Sequence, residues 1–217
     1  MEAEVASTAT NESEIPHLDV PLLAPTDRLV SIRPVELRDA ATGAEPRLRT
    51  TVRVGVRDGA LLVRFDGRDS GTVATLTRRD DALWTEDVYE VFLSPFEPPT
   101  AYFEFEINPL GTLFDARIES PDLVRKTMRV DTSWNLSGLS GKSRVRPGRW
   151  SAVLKIPLAP LAPRGLPASW RANFYRIDRG ERDEFSAWSP PLTDPADFHT
   201  AARFGILQIP DSGAIGC

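Results

Sequence analysis

The sequence predicts an all-β protein, an antiparallel β-sandwich with few short helices. Runs of four to eight residues with alternating apolar and polar side chains recur along the chain, the period of a strand with one buried face. Gly, Pro, Asn and Asp bound those runs and supply their turns. Nineteen prolines punctuate the 217 residues, and no long stretch holds the spacing of an amphipathic helix. Many short strands joined by tight turns imply an antiparallel sandwich or barrel.

Residues 1–16 are rich in Glu, Ser, Thr and Ala and read as a flexible N-terminal arm, followed by one domain over residues 17–217. Thr50–Val56 and Leu61–Asp66 are strands joined through Arg57-Asp58-Gly59, and Asp-Gly between strands is a strong hairpin signal. In the second strand Leu61, Val63 and Phe65 share one face. Asp87–Leu93 puts Val88, Glu90 and Phe92 on one face and Tyr89, Val91 and Leu93 on the other. Tyr102–Ile107 puts Phe103, Phe105 and Ile107 opposite Tyr102, Glu104 and Glu106. Asn108-Pro109-Leu110-Gly111 is a turn, and Thr112–Ile118 returns as its hairpin partner. Asp122–Asp131 is a short helix or an irregular excursion. Lys142–Arg146 and Trp150–Ile156 form another hairpin around Pro147-Gly148. Three prolines hold Ile156–Pro163 to one helical turn at most, and Trp170–Asp178 and Gly205–Ile209 are the last strands.

Charge and composition exclude several functions. Hydrophobic residues make up 41% and charged residues 26%, as in a soluble globular protein. The net charge is −5, which argues against nucleic acid, whose binding needs clustered Lys and Arg. Cys217 is the one cysteine, so no intrachain disulfide forms. No run of 18 apolar residues spans a membrane, and the polar, acidic start lacks the pattern of a signal peptide. As written, the chain reads as cytoplasmic; a removed signal would make it extracytoplasmic. Oligomeric state is not encoded in any feature of the sequence.

Two loop tryptophans are the candidate ligand platforms. A sugar ring has apolar faces and a polar rim, so binding it takes a flat aromatic group and carboxylate, amide or guanidinium partners. Trp84, with Asp87 and Glu90 close behind it, supplies both kinds of group. Trp188, in Ala187-Trp188-Ser189-Pro190-Pro191, sits between a strand and prolines, and facing Trp84 it would complete a clamp on one ring. The competing reading of both is plain packing. Glu104 and Glu106 share a strand face, which usually makes a solvated stripe.

In order along the chain stand Trp84-x-x-Asp87-x-x-Glu90-x-Phe92, Phe105-x-Ile107-Asn108, Trp188-Ser189-x-Pro191 and Phe204-Gly205-x-Leu207. That order and spacing resembles the family 9 carbohydrate-binding modules over about Val52–Ile209. The resemblance implies a β-sandwich of the wider group that includes DOMON domains. It also implies non-catalytic binding of a terminal sugar of an oligo- or polysaccharide between Trp84 and Trp188. Glu90 would accept hydrogen bonds from its hydroxyls, with Asn173 and Asn108 as further contacts, while Asp87 holds the loop. Glu104 and Glu106 stand on the strand that carries a sugar-binding arginine in the family. Arg176 or Arg117 would then substitute from neighbouring strands. No cofactor is assigned with certainty. Calcium is the metal such modules carry, and Asp66, Asp69, Asp80 and Asp81 are hard donors in loops, although no ordered ligand motif assigns them.

Three other readings compete. A glycosidase needs two carboxyl groups across a cleft, but Asp87 and Glu90 point to opposite faces of one strand. Association with a larger glycoside hydrolase as an accessory domain needs no catalysis here. A haem site of the DOMON type would use His199 and Met128 as axial ligands. The last reading is a protein-interaction module on the same fold that has lost sugar binding. Two exposed, opposed indoles favour sugar, and two buried ones favour packing.

Overall fold

A computed structural model describes residues 15–210. The expected arm over residues 1–16 therefore lies, except for Ile15 and Pro16, outside the described residues, as does Cys217. Among the described residues there are fourteen strands and five three-residue 3-10 turns, and no α-helix. The strands are β1 His17–Asp19, β2 Val35–Glu36, β3 Arg38–Asp39, β4 Thr50–Arg57, β5 Ala60–Arg68, β6 Val88–Ser94 and β7 Ala101–Ile107. They continue as β8 Leu113–Glu119, β9 Arg129–Asp131, β10 Ser140–Arg146, β11 Arg149–Pro157, β12 Ser169–Asp178, β13 Glu184–Ala187 and β14 Gly205–Gln208.

The strands form two sheets. The smaller has the order β10-β11-β5-β4-β2. The larger runs β1-β14-β12-β6-β7-β8-β9, with β13 on the same edge of β12 as β14 and β3 beyond it. Every strand pairing is antiparallel except β1 with β14. The all-β antiparallel sandwich is thus as the alternation predicts. The hairpins form for the expected reasons. Asp58 and Gly59 both take positive φ, 51° and 68°, the two-residue turn that matches strand twist. The excursion at Asp122–Asp131 resolves into a 3-10 turn, Arg125–Thr127, followed by β9.

The core lies between the sheets. Tyr89, Val91 and Leu93 of β6, Phe103, Phe105 and Ile107 of β7, and Phe174 of β12 meet Val63 and Phe65 of β5 and Trp150, Leu154 and Ile156 of β11 in one cluster. Phe65, Tyr89 and Trp150 stack as three rings, with centroids 4.6 Å and 3.7 Å apart. Gly67 makes room for this stack, since a Cβ there would lie 2.3 Å from the Tyr89 hydroxyl.

Two expected ligand residues belong to this layer and not to a site. Trp188 is 7% exposed, lies in the inter-sheet cluster and packs on Phe174 at 5.3 Å. A Cβ on Gly205 would come within 2.5 Å of its ring, so the Trp188-to-Gly205 contact is closed on that side. Arg176 is also buried between the sheets, because it shares the face of Phe174. Its guanidinium donates to Thr50 Oγ1 at 3.0 Å and pairs with Asp178 at 2.5 Å, over the Tyr89 ring. Trp188→Ala should therefore lower folding stability by about 3–5 kcal/mol, the cost of emptying a core aromatic site. Chemical denaturation measures this, and a loss under about 1 kcal/mol would place Trp188 at the surface after all.

Candidate functional site

The larger sheet has a second buried face. Its outward residues include Phe92 of β6, Tyr102 of β7, Phe114 and Ile118 of β8, and Tyr175 and Ile177 of β12. Segments outside the sheets cover this face instead of water. Phe198 stacks on Tyr175 at 4.1 Å with planes 12° apart, and Tyr175 donates its hydroxyl proton to the Phe198 carbonyl. Arg125, from the 3-10 turn before β9, bridges to Asp197 at 2.9 Å and ties the two covering segments together.

Between these segments and the sheet lies a pocket of about 420 Å³. The sheet contributes Glu90, Glu104, Phe114 and Ile177 to its floor, and Val130 of β9 and Phe185 of β13 at its sides. One wall comes from Arg125, Met128, Val130 and Thr132, and the other from Phe185 and the segment Ala196–His199. Trp84 stands at the rim, 41% exposed, on the 3-10 turn Leu83–Thr85. Its ring meets Phe114 edge-on at 5.2 Å, and its carbonyl accepts from Arg179 Nη2 at 3.0 Å. Asp87 braces the same loop by accepting from the backbone N–H groups of Val73 and Arg179.

The floor carries three carboxyl groups. Glu90 on β6 lies opposite Glu106 on β7, and Glu104 is two residues from Glu106 on the same face. One oxygen from each lies within 4.8 Å of the others. The expectation that Glu104 and Glu106 form a solvated stripe is corrected: they are 6% and 0% exposed, because the covering segments close over that face. Burial pushes all three well up from the ordinary carboxyl range, Glu104 to about 7, and mutual repulsion adds to this for Glu90 and Glu106. Neither oxygen of Glu106 has a donor from the protein. Its contact with Glu104 is one carboxyl group against another, a hydrogen bond only when a proton lies between them.

His199 closes the far side. Its Nδ1 lies 2.8 Å from the Tyr102 hydroxyl, which is also 3.4 Å from Met128 Sδ. Burial drives the imidazole down to about 4, so it is neutral at neutral pH. His199 and Met128 thus converge on one tyrosine hydroxyl, whereas axial haem ligands face each other across iron.

Of the expected site residues, the pocket brings together Trp84 and Glu90. Asn173 is fully buried, exchanging hydrogen bonds with the Ser189 backbone and donating to the Tyr175 hydroxyl. Asn108 shapes its own turn, accepting from the N–H groups of Leu110 and Thr112 and donating to the Leu76 carbonyl. Arg117 pairs with Glu119 at the surface, and no expected arginine lines the pocket. The lining arginine is Arg125, in the stretch whose pattern was least regular. The two tryptophans do not form a clamp, since Trp188 is on the other side of the sheet.

Comparison with known proteins places this architecture. An extracellular protein of Arthroderma benhamiae is 27% identical over 177 residues, covering 74% of this chain and 78% of that protein. A protein from Bacteroides uniformis put forward as carbohydrate-binding has the same fold, with TM-score 0.72 at 18% identity, covering 90% of this chain and all of that one. A family 9 carbohydrate-binding module from Caldicellulosiruptor kristjanssonii, solved with cellotriose, superposes with TM-score 0.63 at 13% identity, covering 93% and 97%. The same organism's module with glucose gives 0.58 at 12% identity, covering 91% and 97%. The family model of carbohydrate-binding family 9 matches residues 42–209, and the chain belongs to that family.

Proposed function

We propose that the pocket binds a terminal sugar of an oligo- or polysaccharide and does not cleave it. The observation that carries this is the half-exposed Trp84 indole at the rim of a pocket whose floor is carboxyl groups. The indole offers an apolar plane for the ring, and Glu90 and Glu104 offer partners for its hydroxyls. Phe198 and His199 of the covering segment, with Phe185 of β13 beside them, form the wall that takes the role first given to Trp188. Family membership supports the ligand class, as do relatives solved with cellotriose and glucose. The three glutamates support binding without hydrolysis, because they cluster at one point of the floor and do not flank a scissile bond. The acidic lining suits a sugar better than a nucleic acid. The relative described as an extracellular protein supports work outside the cytoplasm.

Intrinsic tryptophan fluorescence, titrated with glucose, cellobiose, xylobiose and lactose, should give a saturable shift with at least one sugar. The dissociation constant should fall between about 1 μM and 1 mM. Trp84→Ala should weaken it by about tenfold or more, while stability changes by under about 1 kcal/mol. No response to any of these sugars in folded protein would move the reading to an interaction module.

The far wall sets a pH limit. The folded-state value of about 4 for His199 lies below its ordinary 6.5. Between those values the unfolded chain binds a proton that the folded chain refuses, so stability falls as pH drops from about 6.5 to about 4. The loss attributable to this one group is about 3 kcal/mol. His199→Gln, which keeps a polar partner for Tyr102, should flatten that part of the stability profile. Identical acid slopes in both proteins would show that His199 is already protonated or already solvated.

A further inference from the structure

We propose that the outer face of the smaller sheet binds an anionic glycan, a polysaccharide whose sugars carry carboxylates, at a site separate from the Trp84 pocket. The chain is acidic overall, with net charge −5, yet this face is basic. Strand β10 carries Lys142, Arg144 and Arg146, β11 carries Arg149 and Lys155, and β5 carries Arg64 and Arg68, against one acid, Asp66. Parity and register turn all of them away from the core, opposite Trp150 and Leu154 of β11 and Val63 and Phe65 of β5. Register also lines up like charges. Arg149 stands directly opposite Arg146 on one side and Arg68 on the other, three guanidinium groups across strands about 5 Å apart. Like charges in that position weaken a sheet. Among the described residues no ion pair relieves Arg68, Arg144, Arg146 or Arg149.

These arginines line a groove of about 390 Å³, together with Arg64 and Asp66. Asp66 shows what such a face holds. Arg64 Nε donates to its carboxylate at 2.7 Å and Arg53 Nη1 at 3.1 Å. That one carboxylate occupies two guanidinium groups, and the arginines toward β10 have no counterpart. Trp150 lines the groove as well, and its buried indole N–H has no acceptor from the protein. Unmet donors of both kinds call for oxygen acceptors on a ligand. The site ends at β4, where Leu23 and Ile32 lie over Gly55 and Arg53 donates to the Ile32 carbonyl. Guanidinium groups take carboxylates through paired, planar N–H donors. Single-stranded nucleic acid needs aromatic platforms for its bases, and the exposed large aromatic side chains among the described residues, Trp84 and Phe96, are not on these strands. A groove also fits one extended chain better than a lipid surface. The glycan class rests on the carbohydrate reading above, but the site shares no residue with the pocket.

The test is calorimetric titration of the full chain at about 20 mM and about 300 mM salt, where screening of exposed charges differs most. The probes are polygalacturonate, its methyl ester, single-stranded and duplex DNA oligonucleotides, and vesicles of phosphatidylserine and phosphatidylcholine. Polygalacturonate should bind saturably at low salt and lose about tenfold or more in affinity at high salt, while its uncharged methyl ester should not bind. The triple variant Arg144→Gln, Arg146→Gln, Arg149→Gln changes exposed side chains that form no ion pair, so it should fold with an unchanged far-UV spectrum. It should weaken polygalacturonate by about tenfold or more and leave the fluorescence response to neutral sugars intact. Trp84→Ala should do the reverse. Loss of the neutral-sugar response with polygalacturonate binding retained would sink the pocket reading and leave this proposal standing. The proposal is overturned if wild type does not bind polygalacturonate, or if the triple variant binds it as wild type does. It is equally overturned if DNA or the anionic vesicles bind as tightly as polygalacturonate, which would make the face a surface for another class of polyanion.

Discussion

Strands β6, β7 and β12 are buried on both faces, and the rest of the molecule follows from that constraint. Their inner face packs the aromatic stack of Phe65, Tyr89 and Trp150 against the smaller sheet. Their outer face would expose Phe92, Tyr102 and Tyr175 if nothing covered it. Covering it takes chain, and the segments around Arg125–Val130 and Asp197–Phe204 serve this purpose. They fit a curved, ring-studded surface incompletely, and the space left over is the pocket. A cavity in this place is therefore a consequence of sheathing an open sheet with irregular chain, which is where ligand sites concentrate on rigid scaffolds.

The same sheathing makes the floor electrostatically expensive. A glutamate in a solvated stripe costs nothing, and the same glutamate under a cover must lose its charge or gain a partner. Asn173 and Tyr175, a few ångströms away in the same face, are fully satisfied by backbone and by each other. Asp87 is likewise satisfied by two backbone N–H groups. Asn173, Tyr175 and Asp87 are thus compensated, whereas Glu90 and Glu104 face the pocket and both Glu106 oxygens lack a donor. Uncompensated polarity at a ligand-facing position, inside an otherwise satisfied surround, is a property of binding sites more than of packing.

Much of the fold was legible because strand parity is a local property. Alternation assigned Glu90 and Phe92 to one face and Tyr89 and Val91 to the other, and Asp58-Gly59 announced its hairpin. Parity also held information about the site that the family resemblance obscured. Asn173 and Arg176 are three apart on β12 and so project from opposite faces; both cannot meet one ligand. What parity cannot show is whether a face is covered. The solvated reading of Glu104 and Glu106 failed on that point, because their cover comes from residues some twenty and ninety positions further along. Arg125 escaped notice, and His199 was weighed only as a haem ligand, for the same reason: they sit in short 3-10 and coil segments with no periodicity, and only tertiary packing brings them to the pocket.

Trp84 and Trp188 show how similar local sequence leads to opposite fates. Each follows an apolar residue and lies just outside a strand. Trp84 rides on a 3-10 turn at the end of a charged loop, anchored by its backbone, and its ring projects past Phe114 to the rim. Trp188 continues directly from β13, with its N–H donating to the Phe174 carbonyl, and so its ring follows the parity of the core. The pocket consequently offers one indole plane instead of two. With stacking available on one side only, the orientation of a ring bound as proposed would be set largely by polar contacts at its edge. For a sugar in the proposed site, the carboxyl floor would then be the feature that discriminates, because hydroxyl arrangement differs between sugars far more than their apolar faces do.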